Sequence, residues 1–173
     1  MKGFTLLELL VVIVLICGLA AGLIIMIVGI IDGAKHDKTQ GIVRAVSDAC
    51  NAYRKEFQEW PPLTPYAGSA NLHYYLGREF NYAIASTGGL GSGSTLAPVV
   101  KKHKPFVEFR HDWLSGSGTT DPTPPRPVCD AWNVPLRYEI ITTAGVPYAR
   151  ITSSGANRIF GDEDDISSEI RMR

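Results

Sequence analysis

A stretch of 23 residues without a charge, Leu9–Ile31, constrains this chain more than any other feature. A helix needs about 20 such residues to cross a bilayer. The stretch therefore predicts a membrane span. A secretory signal carries a shorter apolar region, about 7–15 residues, followed by a small-residue cleavage site. Here the run continues well past Ala20 and Ala21, which argues against removal at that point. Lys2 precedes the run, and the positive-inside rule then places the N-terminus in the cytoplasm and the remainder outside. Glu8 stands at the edge of the same run. An ionised carboxylate in hydrocarbon is costly unless it is paired, so its presence there demands a partner.

The helical signal continues beyond the span. After Asp32 and Gly33, apolar or small residues recur at Ile42, Val46, Ala49, Tyr53 and Phe57, the spacing of one helix face. Trp60-Pro61-Pro62 ends the pattern, because consecutive prolines remove backbone donors and clash with the preceding turn. A helix from Phe4 to Glu59 would be about 80 Å long at about 1.5 Å per residue. Its first half (4–31) is apolar all round. Its second half (32–60) is amphipathic and needs a partner surface, which the remainder of the chain (61–173) must supply.

That remainder changes character. Ala70–Arg78 reads as a short helix, Ser86–Thr95 as a Gly/Ser loop and Phe106–Trp113 as a strand. Ser115–Pro127 is a second long loop, so 83–127 forms an enlarged loop region of the kind that is often functional. Pro135–Thr142 and Pro147–Thr152 read as strands, joined by a hairpin at Thr143–Val146. Strands that follow a long helix, rather than alternating with helices, favour an α+β fold. A chain of 173 residues accommodates one such domain beside a membrane segment.

The polar chemistry narrows the function classes. Seventeen basic and seventeen acidic residues balance, so no global field draws the chain to nucleic acid. Lys101-Lys102-His103-Lys104 reads as a solvated loop. His36, His73, His103 and His111 lack metal-ligand spacing, and Ser86–Thr95 lacks the lysine and helix of a phosphate loop. No nucleophile–base pairing stands out, which points away from an enzyme. Cys17 reads as packing within the apolar helix. Cys50 and Cys129 fall in the exported part, where an oxidising compartment permits a disulfide; the alternative is two small buried residues. Gly18 and Gly22, four apart, would let apolar helices approach closely. Asn157, Asp162, Glu163, Asp164 and Asp165 gather oxygen donors of the kind calcium takes, without the spacing of an EF-hand. A solvated acidic segment is the alternative.

Three segments carry a family resemblance. Gly3-Phe4-Thr5-Leu6-Leu7-Glu8 and the residues to Ile13 closely resemble the type III signal of prepilins and pseudopilins. Asp130, Trp132, Pro135 and Tyr138 resemble a turn segment of the major pseudopilins of type II secretion, with departures at Ala131, Asn133 and Val134. Gly155, Ala156, Gly161, Asp164, Asp165 and Ile166 resemble the calcium loop of the same proteins, with Asn157 in place of an aspartate and Arg158 in place of a glycine.

The resemblance implies a pilin-like fold in which the amphipathic half of the helix packs on a small antiparallel sheet. It implies a leader of residues 1–3, cut between Gly3 and Phe4 by a membrane peptidase that methylates the new N-terminus. It also implies that Glu8 meets the amine on Phe4 of a neighbouring subunit, and that calcium sits at Asn157, Asp162, Asp164 and Asp165. The implied partners are other subunits of the filament, the peptidase/methyltransferase, an inner-membrane assembly platform and membrane lipid. The implied location is the bacterial inner membrane with the C-terminal domain in the periplasm. The implied role is mechanical: a growing periplasmic filament pushes cargo toward an outer-membrane pore. Two other readings share part of this sequence signal. One is a type IV pilin or minor pilin; the other is a membrane-anchored periplasmic binding or enzyme domain.

Overall fold

The computed structural model describes residues 6–84 and 99–170. Helix α1 runs without interruption from Leu6 to Phe57, 52 residues or about 78 Å. Its end is set locally. Gln58 adopts a left-handed conformation (φ 61°), and its N–H donates back to the Arg54 carbonyl at 2.7 Å. Trp60 and Pro61 then turn inward and are buried.

The two halves of α1 sit in different surroundings. Every side chain described from Leu6 to Ile31 is exposed, and Leu6–Leu23 is long and apolar enough to span a membrane. From Thr39 onward one stripe is buried: Thr39, Ile42, Val43, Val46, Ser47, Ala49 and Cys50. These positions recur every three or four residues, so they lie on one face, and burial of each large apolar side chain contributes about 1.5–3 kcal/mol.

The stripe packs on a three-stranded antiparallel sheet through Val146–Ser153 and Ile166–Ile170, and against helix α2 (Ala70–Gly77). The strands are β3 (Arg137–Thr143), β4 (Val146–Ser153) and β5 (Ile166–Ile170), in that order across the sheet. A two-residue turn joins β3 to β4, with Ala144 at φ 52° and Gly145 at φ 79°. Positive φ at both positions matches the right-handed twist of the flanking strands. Arg150 and Glu169 face each other across β4 and β5 and pair at 2.7 Å. The core joins the α1 stripe to Leu72 and Leu76 of α2 (Ala70–Gly77), to Leu114 and Val128, and to Leu136, Tyr138 and Ile151 of the sheet region. This is an α+β arrangement: a long N-terminal helix on a small antiparallel sheet.

Two sequence readings need correction. Phe106–Trp113 is not a strand. Its backbone turns into the end of α2, where the N–H groups of Phe106 and Val107 both donate to the Leu76 carbonyl, at 2.8 and 3.2 Å. A short 3-10 turn, His111–Trp113, follows. The pairing instead lies upstream, where β1 (Phe80–Ile84) and β2 (Val99–His103) form an antiparallel ladder. Lys101, Lys102 and His103 therefore belong to a strand rather than a loop, and Lys102 pairs with Glu79 at 2.6 Å. The Gly/Ser segment Ser86–Thr95 lies outside the described residues.

Candidate functional site

Glu8 lies in the first turn of α1, where a carboxylate complements the positive end of the helix dipole. It is the one acidic residue of the helix before Asp32, and apolar side chains surround it on the same exposed cylinder. Gly3 and Phe4, the predicted processing residues, lie outside the described residues. Gly18 and Gly22 face open space on the helix surface.

The second cluster begins with a buried carboxylate. Asp130 is 2% exposed and accepts four contacts. Its Oδ1 takes the N–H groups of Trp132 and Val134, both at 2.9 Å, and its Oδ2 takes the Ser153 hydroxyl at 2.6 Å. Its carbonyl takes the Asn133 N–H at 3.1 Å, with Asn133 at φ 62°. The Asp side chain thus rebuilds a turn within its own backbone. Next to it, the Ala131 N–H donates to Thr39 Oγ1 on α1 at 3.1 Å. Trp132 is buried against the core, and the Tyr138 hydroxyl donates to the Pro61 carbonyl at 2.8 Å. Burial pushes the Tyr138 phenol well above its ordinary range. The segment Asp130–Tyr138 is a structural joint: it ties α1, the proline corner and the sheet together.

The joint leads into the acidic loop. The Gly155 N–H donates to Ser153 Oγ at 3.2 Å. Gly155 has φ 66°, and a Cβ there would collide with the carbonyl and carboxylate of Asp164. Only glycine combines that φ with that approach. Asp164 Oδ2 accepts the Asn157 N–H at 3.1 Å, Asp162 Oδ2 accepts Asn157 Nδ2 at 2.5 Å, and Asp165 Oδ2 accepts the Gly161 N–H at 2.8 Å. A hydrogen bond between the carboxyl groups of Asp162 and Asp164 pulls Asp162 above the usual carboxylate range and holds Asp164 below it. Two oxygens are left over: Asp164 Oδ1 and Asp165 Oδ1 are closed to solvent and have no hydrogen-bond partner. Stranded carboxylate oxygens are costly, and an all-oxygen donor set suits a hard cation. The structure thus links Asn157 to Asp162 and Asp164, while Asp165 holds the Gly161 N–H and Glu163 stays exposed. Among the described residues, no three His, Cys, Asp or Glu side chains form a metal-binding group.

Cys50 and Cys129 do not form the disulfide that the sequence permits. Both are buried free thiols, and burial pushes both above the ordinary range, Cys129 to about 11. Each is already accommodated: Cys50 in the α1 stripe, Cys129 with its thiol toward the Pro127 carbonyl at 3.7 Å.

His73 carries a role that sequence spacing does not reveal. Its ring is buried in α2. Nδ1 accepts the Arg126 N–H at 3.0 Å, so Nε2 bears the proton and donates to the Thr120 carbonyl at 3.1 Å. Desolvation, the largest influence, holds the imidazole below its ordinary pKa. Arg126 adds to this, and Asp121 opposes it. A neutral histidine therefore pins the long loop to α2. Arg126 reinforces it by donating to the carbonyls of Ser115, Thr119, Leu114 and Gly116.

Comparison with protein-family models, with curated proteins and with solved structures finds no match to this chain.

Proposed function

We propose that this chain is a non-enzymatic structural subunit of a type II secretion pseudopilus, with a pilin-like fold. One observation carries the reading: a single helix that is membrane-grade and fully exposed at one end, domain-packed at the other, with a carboxylate in its first turn. An exposed apolar helix continuous with a folded domain can be solvated by lipid before assembly and by copies of itself afterward. In this reading the chain sits in the inner membrane with its domain in the periplasm. The peptidase cuts between Gly3 and Phe4 and methylates Phe4. Glu8 then pairs with the Phe4 amine of a neighbouring subunit, an exchange that neutralises two charges at once. The assembly platform supplies the energy for filament growth, and the growing filament pushes cargo outward.

Calcium belongs to the same proposal. Asp164 and Asp165 would hold it through their stranded oxygens, with Asp162 and Asn157 beside them. When bound it supplies positive charge between carboxylates that otherwise repel. The chain's own residues brace the loop through Gly155, Ser153 and Asp130.

N-terminal sequencing of the protein purified from membranes tests the reading. N-methyl-phenylalanine at position 4 is the expected result. An uncut Met1 overturns it.

A further inference from the structure

A recess of about 320 Å³ lies where the end of α1 meets α2, lined by Tyr53, Tyr74, Tyr75 and Arg78. That is near the lower end of the range for small-molecule sites, roughly 300–1,000 Å³. Its walls are tyrosine rings. Tyr53 and Tyr75 meet edge to face, 6.3 Å between centroids, and Tyr74 and Tyr75 do so at 5.1 Å. Edge-to-face is a preferred geometry for aromatic pairs, and Tyr66 flanks Tyr74 from outside the recess at 5.0 Å. Behind Tyr53, Phe57 and Phe106 fix its ring at 4.6 and 5.4 Å.

Three of the four polar groups at the recess make no hydrogen bond or ion pair among the described residues. The Arg78 guanidinium lies over the Tyr74 ring at 4.5 Å and pairs with no carboxylate among the described residues. Its chain neighbour Glu79 is taken by Lys102 at 2.6 Å. Among the described residues the Tyr53 and Tyr74 hydroxyls have no hydrogen-bond partner, whereas the Tyr75 hydroxyl is used on the Thr64 carbonyl. Burial raises the Tyr53 phenol to about 12, so it remains a donor at neutral pH. Arg78 is the one cation among the described lining residues, so its side is the anion-accepting end. Arginine recognises a carboxylate in bidentate fashion, and its cation over a tyrosine face is already aligned to do so.

We propose that this recess binds an aromatic group carrying a carboxylate, the ring against Tyr53 and Tyr74 and the acid on Arg78. Such a group could be a free aromatic acid or the C-terminal residue of a polypeptide. The site does not depend on the filament reading.

Titration of the full-length protein in detergent micelles, followed by NMR, tests it with three probes. These are N-acetyl-phenylalanine, its C-terminal amide, and an acetylated tripeptide ending in phenylalanine with a free carboxylate. N-acetyl-phenylalanine should saturate in the millimolar range or below, and the amide should bind at least about tenfold more weakly. Arg78→Gln should reduce the affinity for the acid to that for the amide, while leaving the thermal transition in place. Tyr74→Ala should weaken acid and amide alike. Equal binding of the tripeptide and the single residue identifies a polypeptide terminus as the source. Binding of the single residue alone identifies a small acid. Both outcomes uphold the site. Equal affinities for acid and amide, or an unchanged affinity in Arg78→Gln, overturn it.

Discussion

The two halves of α1 are the same secondary structure with opposite needs. From Leu6 to Leu23 no side chain is buried, and the helix owes its local stability to its own hydrogen bonds. From Thr39 to Cys50 the helix is held by what it touches: the sheet, α2 and the Asp130 joint. The first half is thus unfinished as an isolated molecule, and the second is finished. The contrast separates what stabilises the domain from what the exposed helix leaves to its surroundings. Changes in one half should leave the other intact.

The sharpest attempt to break this separation is Glu8→Val. On the proposed filament reading, filament yield should fall at least about tenfold, because a neighbour's amine left unpaired in hydrocarbon would be costly. Membrane insertion and the melting of the domain should be unchanged. Pelleting of sheared filaments, with calorimetry of the same protein, reads both. Wild-type filament yield would remove Glu8 from the assembly account.

The reciprocal change is Val46→Asp. Val46 is completely buried in the stripe, so an unpaired carboxylate there should cost about 3–5 kcal/mol of domain stability. The membrane half should still insert, as alkali extraction of membranes would report.

His73 offers a gentler probe of the finished half. Its folded-state pKa lies below the ordinary value of about 6.5. Stability is therefore full at neutral pH. It declines as pH falls through about 6.5, where the unfolded chain takes up a proton that the folded chain resists. Melting temperature measured from pH 7.5 to pH 5 should drop, and His73→Gln should flatten that slope. An equal slope in the variant would assign the pH response to other groups.

Calcium should raise the melting temperature of the full-length protein, and Asp165→Ala should abolish the increment. A shift that persists in the variant would place the cation elsewhere. The smallest effect concerns the surface tether between α1 and the 3-10 turn. Lys38 and Asp112 pair at 2.7 Å with about two-fifths of each side chain exposed, and the lysine holds Asp112 below the usual carboxylate range. Asp112→Asn should cost no more than about 1 kcal/mol at neutral pH. Because the depressed carboxylate stabilises only while ionised, wild type and variant should converge as pH falls below about 3.8.

Legibility in the sequence followed the range of the interactions involved. The helix was readable because its periodicity is a local pattern, and Trp60-Pro61-Pro62 stops it in place. The β3–β4 hairpin was readable because Ala144-Gly145 specifies its own turn. Phe106–Trp113 misled because its aromatic residues suggest alternation. Their true constraint is a distant carbonyl, that of Leu76, which no local pattern encodes. His73 was opaque for the same reason: Thr120 and Arg126 lie 47 and 53 residues away. The acidic loop was legible as a cluster of donors. Which oxygens are satisfied and which are stranded depends on Gly155 and Asn157, and emerges only once the loop is closed.

The Thr39–Ala131 bond has a consequence for load. It sits at the first buried position of α1, on the side nearest the exposed half, and it leads directly to Asp130 and Ser153 at the end of β4. A load applied along the helix from its exposed end would therefore meet the domain first at Thr39 and pass through Asp130 to the end of β4.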